Sequence, residues 1–319
     1  GTGGRIKNTR SRLRIRLKPW VFVLLVAAAI AAILFGIDSY RRRFVRSEAD
    51  LVGLLPREGA TVFFVNVAAL RHARMLSLLA GSKPAEDAEY REFVRETDFD
   101  YTGNIDAIAG AANGRDLFFV ARGRFDWRRL RQYAIAHGGA CGNNLCKAST
   151  GKSGRWASFL LVQPDVMGLA LSGNAAAAEV LRPSRRKASS PVPAQPVWVE
   201  LSQELLKNPV DLPLPLRIFA ISLESAYPVV LSLSPAVEGS EAAFNLRLDA
   251  ECPSATTADT IRNQLQIQTN MLKLELAREH RQPNPADLTG LLTSGSFQTA
   301  GQQVTGTWPI RKELLKSLQ

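Results

Sequence analysis

Residues 60–67 read ATVFFVNV, and residues 197–201 read VWVEL. Both are short runs of β-branched and aromatic residues, the composition of a strand that packs on its neighbours. Each is followed by helix-forming sequence, near Ala68–Leu79 in the first case and at Ser202–Lys207 in the second. Working outward from these two runs gives the same order twice. After the first come a charged stretch, Lys83–Thr97, with Tyr90, Phe93 and Val94 at helical spacing, and then strands at Asp106–Ala112 and Leu117–Arg122 around Asn113-Gly114. Asn-Gly between two such runs is a hairpin signal. Asp126 caps a helix through His137, stopped by Gly138-Gly139. A second hairpin, Ser158–Gln163 and Val166–Ser172, turns at Pro164-Asp165, and a short alanine-rich helix runs from Asn174 to Leu181.

After the second run the pattern predicts strands at Ile218–Ser225, Val229–Ser234 and Ala243–Ala250. A long amphipathic helix follows over Thr256–Glu279, with Ile261, Leu265, Leu272 and Leu276 on one stripe. Ser296–Ala300 and Val304–Trp308 form a hairpin, and Pro309 opens a last helix, Ile310–Leu318. An offset of 137 carries Val62 to Val199, Pro164 to Gly301 and Asn174 to Arg311. The expected fold class is α+β: mainly antiparallel sheets with packed helices, in two duplicated modules at 58–181 and 197–319. Residues 182–196, RPSRRKASSPVPAQP, have the composition of a linker between them.

Ahead of these modules lies Pro19–Ile37, PWVFVLLVAAAIAAILFGI, nineteen residues without a charge. At about 1.5 Å per residue a helix of that length crosses a hydrocarbon core of ~30 Å. Basic residues flank it on both sides, seven over residues 1–18 and four over residues 41–46. The apolar run outlasts a cleavable signal and ends in Phe35-Gly36-Ile37-Asp38 with no A-x-A pattern, so the expectation is an uncleaved signal anchor. Residues 1–18 are then a basic cytoplasmic tail and residues 38–57 a juxtamembrane stalk. The excess of Lys and Arg before the span favours N-terminus inside, with the C-terminal domain in the periplasm or exterior of a cell read as bacterial. The partner implied directly is the lipid bilayer, through Pro19 to Ile37.

The net charge of +11 suggests nucleic acid until it is mapped. Residues 1–46 hold eleven basic groups and one acidic one, whereas residues 47–319 hold 29 and 28. A near-neutral domain lacks the concentrated basic surface that counterion release needs, so no nucleic-acid partner is expected.

Few residues carry chemistry. Cys141 and Cys146 flank Gly-Asn-Asn-Leu, where a tight turn can join the sulfurs in an oxidising compartment; two reduced structural cysteines are the alternative. Cys252 is left over. Arg115, Arg122, Arg124, Arg128, Arg129 and Arg131 cluster within seventeen residues. Of these, Arg124, Arg128 and Arg131 are the candidate anionic-surface patch, for lipid or envelope polymer, against the plainer reading of a solvated helix face. Thr150-Gly151-Lys152-Ser153 resembles a P-loop end but has Cys146 where the first glycine belongs. Asp98 and Asp100 lack the spacing of a calcium loop. His72, His137 and His280 are isolated in sequence, and no Gly-x-Ser-x-Gly occurs. No catalytic, cofactor-binding or metal residue is named and no cofactor is expected. The function that follows is a non-catalytic interaction or scaffold domain in the cell envelope with a protein partner. The alternative is an anchored hydrolase whose site assembles only in the fold.

Overall fold

A computed structural model describes residues 47–73, 75–76, 88–151, 154–183, 192–236 and 240–317. Pro19–Ile37, the expected anchor, lies outside the described residues, as does most of the expected linker. Among the described residues no helix is long and apolar enough to cross a membrane.

In chain order the elements are α1 (Glu48–Val52), β1 (Thr61–Val65), α2 (Val67–His72), α3 (Ala88–Thr97), α4 (Tyr101–Asn104), β2 (Ile105–Asn113), β3 (Asp116–Gly123), α5 (Trp127–Ala136), β4 (Ala140–Gly142), β5 (Leu145–Ser149), β6 (Trp156–Gln163) and β7 (Val166–Ser172). A 3-10 turn at Ala177–Leu181 follows. Then come β8 (Val197–Leu201), α6 (Gln203–Lys207), α7 (Leu214–Ser222), β9 (Val229–Pro235), β10 (Ala242–Glu251), α8 (Ala255–Arg278), α9 (Leu288–Thr293), β11 (Ser296–Ala300), β12 (Gln303–Arg311) and α10 (Lys312–Ser317). The fold is α+β, built on one antiparallel sheet of twelve strands in the order β11-β12-β10-β9-β8-β1-β2-β3-β7-β6-β5-β4.

Read outward from its centre, that order repeats. β1-β2-β3-β7-β6 and β8-β9-β10-β12-β11 are the same sequence of first strand, hairpin and returning hairpin, with α5 and α8 in the same connection. The first strands pair with each other antiparallel. Asn66 caps α2 by accepting from the Ala69 N–H, and Ser202 caps α6 by accepting from the Leu205 N–H, which sets the repeat at 136 residues at this point rather than 137. At that offset Phe63 pairs with its own counterpart Val199, while Val62 pairs with Glu200 and Phe64 with Trp198. The local two-fold axis therefore passes through the Phe63–Val199 pair. Hydrogen bonds tie the seam: Ser202 N–H to Thr61 Oγ1 at 3.2 Å, and Asn66 N–H to the Pro196 carbonyl at 2.7 Å.

Strand patterning decides what covers each face. β10, AAFNLRLDAE, alternates from Phe244 onward: Phe244, Leu246, Leu248 and Ala250 enter a core, Ala243 packs at the strand's start, and Arg247 and Asp249 stand on the opposite, polar face. β1 is apolar on both faces. Val62 and Phe64 pack with Leu51, Val52, Leu54 and Leu55 on one side, and Val65 packs with Phe99, Ile105 and Leu130 on the other. Residues 47–55, which the sequence assigns to the stalk, thus pack into the first core. The capping box of Ser47 and Asp50 starts the helix that delivers them.

Two expectations are corrected. Ile218–Ser225 is not a strand; residues 214–222 are the helix α7. A short apolar run fits a strand and a buried helical turn equally, and here Pro213 and Pro215 start a helix. Pro309 does not open the last helix. β12 runs on to Arg311, with Pro309 opposite Asn245, and α10 begins at Lys312. β11 stops opposite Thr307, so one side of β12 has no ladder at Pro309, where a residue without an N–H is tolerated.

Candidate interaction surface

Among the described residues, exposed large apolar side chains gather on α7 and α8. Ser254 caps α8 by accepting from the Thr257 N–H, and Ala258, Ile261, Leu265, Thr269 and Leu276 turn inward onto the sheet. On the outward side Ile267, Met271 and Leu274 are 54%, 59% and 62% exposed. α7 buries Ala220 and Ser222 and leaves Leu214, Ile218 and Ile221 exposed by 67%, 40% and 52%. A groove of about 340 Å³ lies between the helices, with Ile218 and Ile221 on one wall and Thr257, Thr260, Gln264 and Gln268 on the other; Ile267, Met271 and Leu274 are not part of its lining. Scattered apolar residues are normal on a surface, whereas three exposed on one stripe of a helix make a candidate contact site. The signal was present in sequence as 4-3 spacing at 214, 218 and 221 and 4-3 spacing at 267, 271 and 274. The first overlaps residues 218–225, a short apolar run whose pattern also fits a strand, and the second shares its helix with the stronger inward stripe.

The residues singled out in sequence sit elsewhere. Cys141 and Cys146 face each other across β4 and β5 and are joined as a disulfide. Asn143 and Asn144 make the two-residue turn at φ 51° and 61°, the backbone that asparagine tolerates. Cys252 is a free, buried thiol. Arg128 and Arg131 are exposed on α5, three residues apart. Arg124 precedes the helix and donates to the Gly103 carbonyl at 2.7 Å, while Arg129 pairs with the capping Asp126 at 3.5 Å. Part of the arginine cluster is thereby engaged in holding loops.

Asp100 belongs to a polar turn. It caps α4, accepts the Tyr90 hydroxyl at 2.8 Å and the Thr102 hydroxyl at 2.7 Å, and lies beside Asp98 at φ 58°. Burial works to raise the Asp100 carboxyl, but the hydrogen bonds from Thr102 and Tyr90 and the charge of Arg71 outweigh it, and it titrates below its ordinary value. Burial, together with the bond to that carboxylate, pushes Tyr90 up to about 12. Near the seam, Glu200 pairs with Arg57 at 3.0 Å and accepts from the Tyr227 hydroxyl at 3.3 Å. His137 stacks on Tyr133 at the end of α5, and His72 ends α2. Gly151 lies in the loop between β5 and β6, with Lys152 and Ser153 outside the described residues. Among the described residues no three His, Cys, Asp or Glu side chains converge as a metal site.

No protein-family model matches this chain, and no curated protein does. Solved structures of TP0453 are similar in fold at low identity. Crystal form I is 11% identical, with a TM-score of 0.48 over 86% of this chain and 98% of that one. Crystal form IV is 10% identical, with a TM-score of 0.43 over 84% and 95%.

Proposed function

We propose that this chain is a single-pass membrane protein, held in the cytoplasmic membrane through Pro19–Ile37, whose α+β unit is a non-catalytic interaction module facing the periplasm or exterior. The observation that carries the module reading is the set of exposed apolar side chains on α7 and α8, since a face of this kind marks a contact site. The anchor reading rests on the nineteen-residue uncharged run and its basic flanks. The outward orientation rests on the lysine and arginine excess before that run, and the Cys141–Cys146 disulfide supports it, because such bonds persist in oxidising compartments. The near balance of charge over residues 47–319 argues against nucleic acid as the partner. The matching strand order on either side of the Phe63–Val199 pair supports an origin by internal duplication.

Alkaline phosphatase fused after Gln319, with a cytoplasmically active reporter as its counterpart, tests the placement. An active phosphatase is the expected result. An inactive phosphatase with an active cytoplasmic reporter would put the module inside and remove the envelope reading.

A further inference from the structure

The returning hairpins of the two halves end differently. β6 pairs with β7 along its whole length, from Gln163 opposite Val166 to Trp156 opposite Ser172. In the second half β11 starts at Ser296, opposite Thr307, while β12 continues to Arg311. Residues 308–311 of β12 therefore have a strand on one side only, which is β10. The frame is shared, so this open side is a property of the second half rather than a requirement of the fold. A cleft of about 300 Å³ lies beside it, with Pro309 and Arg311 on its wall. The charged residues of the lining are Lys273 and Arg311, and no acidic side chain joins them. Lys273 is exposed on α8, makes no ion pair among the described residues, and has uncharged neighbours one turn away at Thr269, Asn270, Leu276 and Ala277. Arg311 meets Glu241 at 3.2 Å, but that pair is exposed, and an exposed pair holds weakly enough to exchange. The Thr293 and Ser294 hydroxyls on the same wall donate to the carbonyls of Thr289 and Leu291, so the side-chain donors left to the cleft are the two cations.

We propose that this cleft binds an extended acidic peptide. Its backbone lies along the open side of β12, its carboxylates meet Lys273 and Arg311, and its apolar side chains pack on Leu291 and Leu314, which also line the cleft. Two independent observations choose that occupant. Cations with no acid beside them in the lining are complementary to carboxylates. A strand with no neighbour on one side is complementary to an extended backbone, as when a peptide adds to the edge of a sheet. Pro309 has no N–H to give to such a peptide, so the backbone ladder is incomplete and the charges carry more of the affinity. The exposed apolar residues of α7 and α8 do not line the cleft. It is a second contact site, beyond the one that carries the module reading, and it does not depend on where the chain is held.

The test is fluorescence anisotropy of labelled peptides added to the purified full chain in detergent. The probes are Glu-Val-Glu-Val-Glu, its Gln-Val-Gln-Val-Gln counterpart and Lys-Val-Lys-Val-Lys. The Glu peptide is expected to bind at least about tenfold more tightly than the Gln peptide, and to weaken as salt is raised. Lys273→Gln and Arg311→Gln should each weaken the Glu peptide about tenfold, whereas Arg128→Gln, on α5 of the first half, should leave it unchanged. Lys273→Glu should lose the Glu peptide and gain affinity for the Lys peptide, a reversal that a merely damaged fold would not give. Lys273 is exposed, so its variants leave the core untouched, and circular dichroism checks that each folds. Equal affinity for the Glu and Gln peptides overturns the proposal, as does a loss on Arg128→Gln equal to that on Lys273→Gln. Binding of decanoate with neither peptide bound would make the ligand a free amphiphile and overturns it too. Each of those results leaves the phosphatase result standing, and an inactive phosphatase fusion leaves the cleft standing.

Discussion

Gly110 shows how single residues fix the centre of the sheet. It lies opposite Phe63, the residue on the local two-fold axis, and a methyl group there would overlap the Phe63 ring. The ring fills the space a side chain would take and reaches Phe119 on the next strand, centroid to centroid 6.0 Å. Gly110→Ala is expected to destabilise the fold by about 1–3 kcal/mol, read from the shift of a denaturant midpoint. The Tyr90–Asp100 pair makes a prediction about pH. The folded state holds the Tyr90 proton up to about 12, while the unfolded chain releases it near 10. Its contribution to stability is therefore full below pH 10 and is lost as pH rises towards 12. Tyr90→Phe should reduce the fall in thermal midpoint across that range, and an unchanged slope would remove Tyr90 from the account. Asp100→Asn should bring the Tyr90 phenol only part of the way back, because burial is the larger cause. Titration by absorbance difference against Tyr90→Phe checks this.

At the scale of elements, α8 separates two jobs on one helix. Leu265 is 1% exposed in the second core, and Leu265→Ala is expected to cost about 2–5 kcal/mol. Met271→Gln, on the outward stripe, should stay within about 0.5 kcal/mol. Paired chemical denaturation distinguishes them, and equal losses would mean the outward stripe is packed. Most elements were legible in sequence because their signals are local. Asp126 and Ser202 are cap residues, Asn113-Gly114 and Asn143-Asn144 are turns, and the inward stripe of α8 has the helical period. The failures were also local ambiguities. IFAIS over residues 218–222 fits a strand until the prolines before it are read as a helix start, and Pro309 fits a helix start until the end of β11 leaves one side of β12 free. The candidate surface was less legible than the fold. Exposure depends on which face the sheet claims, and sequence periodicity by itself locates a stripe without saying whether it is covered.

For the whole molecule, the continuity of the twelve strands matters more than the repeat. β1 and β8 join the halves through a backbone ladder, and Trp198 of the second half packs in the first core, stacked on Phe64. Heat should therefore unfold residues 47–319 in one transition. Val199→Pro, placed at the axis of the ladder, should split that transition or abolish folding; one unchanged transition would show that the seam does not couple the halves. The halves differ in what they present: Arg128 and Arg131 are exposed on α5 of the first, and Leu214, Ile218, Ile221, Ile267, Met271 and Leu274 are exposed on α7 and α8 of the second. We propose that the protein meets its partner through α7 and α8, outside the cytoplasm. The most direct measurement is labelling of single cysteines by a membrane-impermeant maleimide in intact cells. Rapid labelling of Gln298→Cys and Arg128→Cys is expected, with Met271→Cys and Leu274→Cys protected until the protein is denatured. Equal labelling of all four positions would contradict the docking face, and labelling of none until the cells are broken would contradict the placement outside.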